Sequence, residues 1–332
     1  MAVQAPGRVL RAALIGCSGI GVKHAEAYRF CKNIQLAAVV DLQRESADRL
    51  AGLHNVKAYY DVEDVLGNPT IDVIDIAAPT KFHMLIATDA ARAGQHCICE
   101  KPIATNYLEY QMMADAFRQS GTTLGGIFQH RFSDEAMELA RKIKVSELGY
   151  NLKASSTTKW FRDDAYWLAP GRAMAGGGVL TVHAIHAIDL VMNLLGEPVS
   201  VTASVDNTGQ PEGVEVEHTG TAKIIFKSGA TADVYATTRA WSPKYPSPGQ
   251  PLNFMDIDER HQIAVTGSNS NVMFETPPQP LVELFARNLD SFAGSILAEE
   301  PPAVSLDSAW QTIWLIKKMY ESAKNGGASV AI

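Results

Sequence analysis

The chain has 332 residues, 46% hydrophobic and 20% charged, a length that fits two domains, each large enough to bury its own core. A net charge of -7 without any Lys/Arg-rich run argues against a nucleic-acid footprint, and no stretch of about 18 apolar residues is present to span a bilayer. The expected partner is therefore a small molecule, with neither nucleic acid nor membrane. Arg11 interrupts the apolar run before Leu14-Ile15-Gly16-Cys17, so no secretion signal is expected there. The four cysteines (Cys17, Cys31, Cys97, Cys99) lack CxxC spacing and read as reduced thiols of a cytoplasmic protein, with no metal site expected.

From Arg8 to about Gln129, short apolar runs alternate with helical patterns. Strands are expected at Val9–Ile15, Leu36–Val40, Val73–Ala77, Cys97–Cys99 and Leu124–Phe128. This βαβ rhythm predicts a parallel sheet covered on both faces, with ligands at the carboxyl ends of its strands. After about Arg131 the pattern changes. A long helix is expected around Thr181–Leu195, then strands at Val199–Val205, Thr219–Phe226, Thr231–Thr237 and His261–Thr266. Four prolines in Trp241–Pro251 predict a loop. A closing helix carries Leu306, Ala309, Ile313, Ile316 and Tyr320 on one stripe and stops at Gly326. The fold class is thus α/β: a Rossmann dinucleotide-binding domain over 1–130, and an α+β domain over 131–332 with a large, mostly antiparallel open sheet. The final helix, 305–324, could pack back towards the first domain.

The first strand leads into Gly16-Cys17-Ser18-Gly19-Ile20-Gly21, a glycine-rich turn between strand and helix. Gly16 suits the tight turn and Gly21 close helix packing, and amides from Ser18 to Ile20 would face a pyrophosphate at the helix N-terminus. Ser18 replaces the middle glycine of GxGxxG, where Gly19 can supply the freedom. Asp41, at the second strand's end, would accept hydrogen bonds from the ribose hydroxyls and repel a 2'-phosphate, so NAD is preferred to NADP. The competing reading makes Asp41 a cap for the helix beginning near Glu45, and Arg44 leaves room for a 2'-phosphate.

Two further strand ends carry chemistry: Ala77-Ala78-Pro79-Thr80-Lys81-Phe82-His83 and Cys99-Glu100-Lys101-Pro102. With them the sequence resembles the Gfo/Idh/MocA family, in which a glycine-rich turn precedes a histidine (here His24). A TPxxxH-like stretch then matches Pro79 to His83, and EKP matches Glu100, Lys101 and Pro102. Gly176-Gly177-Gly178-Val179-Leu180, followed by His186 and Asp189, matches the family's second domain, and Gln129-His130-Arg131-Phe132 its domain crossover. The resemblance covers essentially the whole chain. It implies a dehydrogenase or reductase that passes a hydride between nicotinamide and a sugar, cyclitol or related polyol held between the nicotinamide and the open sheet. It also implies a homodimer or homotetramer. On this basis Pro79, Thr80, His83, Glu100 and Lys101 join Gly16 to Gly21 and Asp41 as cofactor-binding candidates.

Alcohol oxidation needs a base for the hydroxyl proton, and Lys101 and His186 are the candidates. Many family members have an Asp four residues before the histidine; here it is Val182, so the proton route lacks that acid or recruits His183. His183 is equally a binding or packing residue, and His186 a core histidine in the competing reading. Trp160, Arg162, Tyr166 and Arg172, with Arg131, are candidates for stacking on and hydrogen-bonding a sugar, while Trp160 and Trp167 could equally be core. Asp189 could orient His186. Two other functions fit the same residues: a dihydrodiol- or biliverdin-type reductase, and a cofactor-binding regulator without turnover.

Overall fold

The computed structural model describes residues 8–169, 177–240, 261–276 and 279–332. They fall into two compact units, Met1–Gln129 with Pro280–Trp310, and His130–Gln279 with Gln311–Ile332.

The first unit is built on six parallel strands: β1 (Leu10–Ile15), β2 (Ile34–Val40), β3 (Lys57–Tyr59), β4 (Val73–Ile76), β5 (His96–Cys99) and β6 (Leu124–Gly126). Their order is β3-β2-β1-β4-β5-β6, so the sheet reverses direction of growth between β1 and β4. Such a reversal opens a crevice at the strands' carboxyl ends, where ligands of doubly wound folds sit. Helices α1 (Ile20–Ala27), α2 (Arg44–His54), α3 (His83–Arg92) and α4 (Tyr107–Ser120) connect the strands. The strands are apolar on both faces because helices cover both, and β4 is buried at all four residues, Asp75 included.

Helix α9 (Leu281–Leu297) corrects the expected boundary, since the chain returns to the first unit after the second. Phe285, Ala286, Leu289, Phe292 and Ala293 share one core with Leu10, Ala27, Ile34, Ile98 and Ile127. Asn288 accepts the Phe128 amide at 3.0 Å. Gly125 is required there, because a Cβ would lie 2.6 Å from the Phe292 ring. The closing helix, α10 (Leu306–Lys324), crosses the division between the units. Its first turn belongs to the first unit, where Asp307 accepts the Tyr110 hydroxyl at 2.8 Å and Trp310 stacks on Tyr110.

The second unit carries a seven-stranded sheet among the described residues, ordered β12-β11-β7-β10-β9-β8-β13. The strands are β7 (Lys153–Lys159), β8 (Pro198–Asp206), β9 (Thr219–Phe226), β10 (Thr231–Thr237), β11 (His261–Thr266), β12 (Asn271–Thr276) and β13 (Val330–Ala331). Only the β7–β10 pair is parallel; the rest are antiparallel. Strands alternate buried and exposed residues, so the sheet has one covered and one open face. The remaining helices are α5 (Asp134–Lys144), α6 (Asp164–Leu168), α7 (Val179–Val182) and α8 (Ile185–Leu195).

The single helix expected over Thr181–Leu195 is broken. At the break the Ala184 amide reaches back five residues to the Val179 carbonyl, as the His183 amide does over four. Such a widened turn is a common helix irregularity at functional sites. Among the described residues, no helix is long and apolar enough to cross a membrane. All four cysteines are free thiols, and burial pushes those of Cys97 and Cys99 well above their ordinary value. Arg172, Gly176 and the Trp241–Pro251 loop lie outside the described residues.

Candidate functional site

The glycine-rich turn closes β1 onto α1. A Cβ on Gly16 would meet the Ala77 carbonyl at 2.8 Å, and one on Gly21 the Gly16 carbonyl at 2.0 Å, so neither position admits a side chain. Gly19 caps α1 with φ +52° and ψ -116°, a conformation open to glycine, and thereby supplies the freedom that Ser18 lacks. No side chain caps α1 and no acid stands in its first turn, leaving its N-terminus suited to an anion. Ser18, Gly19 and Ile20 are exposed there. The backbone fits a pyrophosphate.

Asp41 does not cap α2, whose N-cap is Gln43. Its carboxylate instead accepts the Cys17 amide from the glycine-rich turn and the Gln43 amide, both at 2.8 Å. It therefore ties the ends of β1 and β2 together at the place where a ribose would be read. Arg44 lies over the Tyr60 ring at 4.0 Å.

At the end of β4, Pro79 is exposed and Thr80 half-buried. His83 is buried, one ring nitrogen 2.9 Å from the Ala78 carbonyl and the other 3.0 Å from the Pro102 carbonyl. Burial pulls it below the ordinary histidine value. Among the cofactor-binding candidates, His83 is thus a staple between two loops, with both nitrogens already engaged.

Lys101 follows β5, half-buried, its peptide bond to Pro102 cis. Beneath it lies a buried charged network. Both Asp75 oxygens lie 3.0 Å from His24 Nδ1, and Asp75 also accepts the Tyr28 hydroxyl at 2.8 Å. His24 Nε2 lies 3.2 Å from one Glu100 oxygen, and the other accepts the Lys101 amide at 2.8 Å. Burial works against the His24 charge, but Asp75 and Glu100 outweigh it and push the imidazole up to about 10. Burial likewise opposes ionisation of Glu100, yet His24 and Lys101 hold it below the usual carboxylate value.

This network has a pH signature. His24, raised when folded, adds stability that is whole below its unfolded value of 6.5 and disappears as pH climbs through about 10. Glu100, lowered when folded, adds stability that is whole above 4.5 and is lost as pH falls through its folded value. The unfolding temperature of the first unit is expected to peak between about pH 4.5 and 6.5 and to decline towards pH 10. A calorimetric profile still rising at pH 9 would contradict this.

In the second unit, the structure brings Trp160, Arg162, Tyr166, His183 and His186 into one buried cluster. His183 packs edge-on to Trp160 at 4.8 Å and lies 5.6 Å from Tyr166, while the Arg162 guanidinium covers both aromatic rings. Trp167 is fully buried beside Tyr166 and Val214, the core reading for that residue. His130 and His261 complete the cluster and were not anticipated. His130 stacks on His186 at 4.8 Å, and Trp160 bridges to His261 at 5.0 Å. Thr276 holds His130 at 3.1 Å and Thr158 holds His261 at 2.7 Å. No group of three metal-ligating side chains forms among the described residues.

Two expectations change. Asp189 does not orient His186: its oxygens take the Arg131 guanidinium at 2.7 and 2.6 Å and the Thr312 hydroxyl at 3.0 Å. Arg131 is thereby held in a buried ion pair with Asp189. Val182 ends α7, before the break, so it and His186 are not on one continuous helix.

The last glycine of the run, Gly178, is set by Glu217. Its carboxylate accepts the Gly178 amide at 3.1 Å, the Leu180 amide at 3.0 Å and the Tyr320 hydroxyl at 2.8 Å. A Cβ on Gly178 would meet the Glu217 carbonyl at 2.1 Å. Glu217 thus anchors the start of α7, although burial raises its proton affinity.

Comparison with known proteins agrees with this architecture. Residues 10–127 match the model of the oxidoreductase family with an NAD-binding Rossmann fold, and residues 137–272 match the GFO/IDH/MocA C-terminal domain. The chain is 25% identical to the D-xylose 1-dehydrogenase (NADP(+)) 2 of Haloferax volcanii, over 95% of this chain and 98% of that one. It is 30% identical to the levoglucosan dehydrogenase of Pseudarthrobacter phenanthrenivorans over 70% and 68%. The crystal structure of the WlbA dehydrogenase from Bordetella pertussis, with NADH and UDP-GlcNAcA, superposes with a TM-score of 0.81 at 21% identity, covering 98% and 99%. The glycine-rich turn at the sheet's reversal, the Glu100-Lys101-Pro102 strand end and both family models lead to one assignment: this chain belongs to the Gfo/Idh/MocA family of NAD(P)-dependent oxidoreductases.

Proposed function

We propose that the protein is an NAD-dependent dehydrogenase or reductase of a sugar, cyclitol or related polyol, with Lys101 handling the hydroxyl proton. The observation that carries this reading is Lys101 at the carboxyl end of β5, one strand beyond the sheet's reversal, fixed by its backbone over a buried charged network. Gly16, Ser18, Gly19, Ile20 and Gly21 would hold the pyrophosphate, Asp41 the adenosine ribose, and Pro79, Thr80 and Glu100 the strand ends around the nicotinamide. When bound, the nicotinamide supplies the hydride acceptor or donor. Lys101 takes the hydroxyl proton in oxidation and returns it in reduction.

In the second unit, Trp160 and Tyr166 offer aromatic faces for a sugar's C–H surface, and Arg162, His183 and His186 offer donors for its hydroxyls. A polyol suits that set because it is polar at its rim and apolar across its ring. His186, stacked on His130, is the second proton-transfer candidate, with His183 across the helix break as a further one.

The test is a titration of NAD+ and NADP+ followed by a panel of sugars, polyols and aromatic diols, read as absorbance of the reduced nicotinamide. Turnover of a polyol supports the proposal. Turnover confined to aromatic diols would move the substrate to the dihydrodiol class, and tight cofactor binding without turnover across the panel would favour a regulator. For the cofactor, Asp41→Asn removes the charge and leaves a single acceptor oxygen, which can keep the bond to the Cys17 amide or to the Gln43 amide but not both. It should raise the ratio of NADP to NAD efficiency about tenfold or more, equivalent to about 1.4 kcal/mol. An unchanged ratio would remove Asp41 from the ribose site.

A further inference from the structure

Asp75 sits in the middle of an otherwise apolar strand, and His24 on α1 is buried beside it. A buried charge is tolerated only when paired, and removing one partner exposes the desolvation cost of the other. Here three ionisable groups form a chain that ends on the Lys101 backbone. Both ring nitrogens of His24 face carboxylate oxygens, so both must carry protons to satisfy them. One Glu100 oxygen is held by that ring and the other by the Lys101 amide.

We propose that His24 is a positioning residue for Lys101: held as an imidazolium between Asp75 and Glu100, it keeps Glu100 ionised under the Lys101 backbone and so sets the proton affinity of the Lys101 amine. The inference rests on Lys101 being the proton-handling group of the proposed function.

The groups around the chain support a single charge assignment. From β4 comes Asp75 and from the end of β5 comes Glu100; the turn that follows α1 contributes the Tyr28 hydroxyl, which also donates to Asp75. The thiols of Cys31, Cys97 and Cys99 lie near these acids and are held protonated by burial. Helix α9 presents the Phe285 ring to His24 at 4.7 Å, while its Asp290 is engaged with the Lys32 and Asn33 amides. Burial lowers the proton affinity of His83, whose ring nitrogens are engaged by the Ala78 and Pro102 carbonyls, and Glu109 accepts the Thr105 amide and hydroxyl. Two carboxylates therefore flank one cation, leaving a net negative charge under Lys101. Glu100 feels the Lys101 charge, and the coupling is reciprocal: an ionised Glu100 favours the ammonium form. Without His24, two buried carboxylates would confront each other and one would take up a proton, withdrawing that support.

Two measurements test this without reading turnover. In the wild-type protein, side-chain 15N NMR should show His24 with both ring nitrogens protonated at pH 8, and Tyr28→Phe, which removes the hydroxyl that donates to Asp75, should identify it by a shift of that resonance. Separately, the pH dependence of Lys101 acylation, followed by peptide mass spectrometry, should give an apparent pKa about one unit lower in His24→Gln and in Glu100→Gln than in wild type. A merely structural role for His24 would not move that value. A neutral His24 at pH 8, or an unshifted Lys101 in both variants, overturns the inference. If the variants fail to fold, the NMR measurement decides alone. Because neither readout needs a substrate, either result stands even if the protein proves not to turn over polyols, and failure of the functional reading is seen separately in the substrate panel.

Discussion

Lys101→Met should lower kcat/KM by about 10²- to 10⁴-fold while NAD affinity stays within a few fold of wild type, the usual range for loss of a proton-transfer group. Methionine keeps the unbranched length of the side chain and removes its proton chemistry. It also keeps the backbone amide that donates to Glu100, so the loop should hold its conformation. The loss should fall on kcat, because a group that moves a proton in the transition state contributes little to ground-state binding. Steady-state kinetics alongside a fluorescence titration of NADH separates the two. Turnover within a few fold of wild type, with cofactor bound, would end the assignment of Lys101.

The second large effect concerns folding. Arg131→Met should destabilise the second unit by about 3–5 kcal/mol, because it strands the buried Asp189 carboxylate. Asp189 is almost fully buried, and its remaining partner would be the Thr312 hydroxyl. Burial opposes the Arg131 charge as well, yet the pairing more than offsets it and holds the guanidinium above its ordinary value. The double variant Arg131→Met with Asp189→Leu should recover much of the loss, since it leaves no charge behind. Urea denaturation of the three proteins measures both terms. A single variant within about 1 kcal/mol of wild type would mean that water or another cation reaches Asp189.

The Rossmann half was legible because each strand is a short, fully apolar run, and β1, β2, β4, β5 and β6 lie within a few residues of their expected positions. Strand β3 was missed; three residues, Lys57 to Tyr59, are too few for any period to register. In the second unit, β8 to β11 follow from alternation. Strand β7 has the same alternation, but its inward residues are Ala154, Ser156 and Thr158, which do not stand out from their polar neighbours. The return of α9 to the first unit was hidden for a different reason. Packing partners of a helix are set by which core has room, and sequence position after the second sheet carries no information about that.

For the site, motif residues were legible and their partners were not. His24 and Glu100 stood within recognisable patterns, but only Asp75 signalled, as a lone acid inside Val73–Ile76, that a buried cation must lie opposite. The pairing of Arg131 with Asp189 and the stacking of His130 on His186 join residues 58 and 56 positions apart, so local spacing could not suggest either. The break after Val182 was invisible because nothing in Thr181-Val182-His183-Ala184 forbids a helix.

The Glu217 anchor links three distant stretches of chain as one heritable unit. Gly178 has no room for a side chain, and Tyr320 shares the Glu217 carboxylate. Gly178 is closed to side chains by the backbone carbonyl of position 217 whatever residue stands there, whereas the Glu217 carboxylate is conditional on the donors it serves, the Gly178 and Leu180 amides and the Tyr320 hydroxyl. Chimeras that exchange the segment around α7 between related enzymes should succeed only when the positions equivalent to 217 and 320 are exchanged with it.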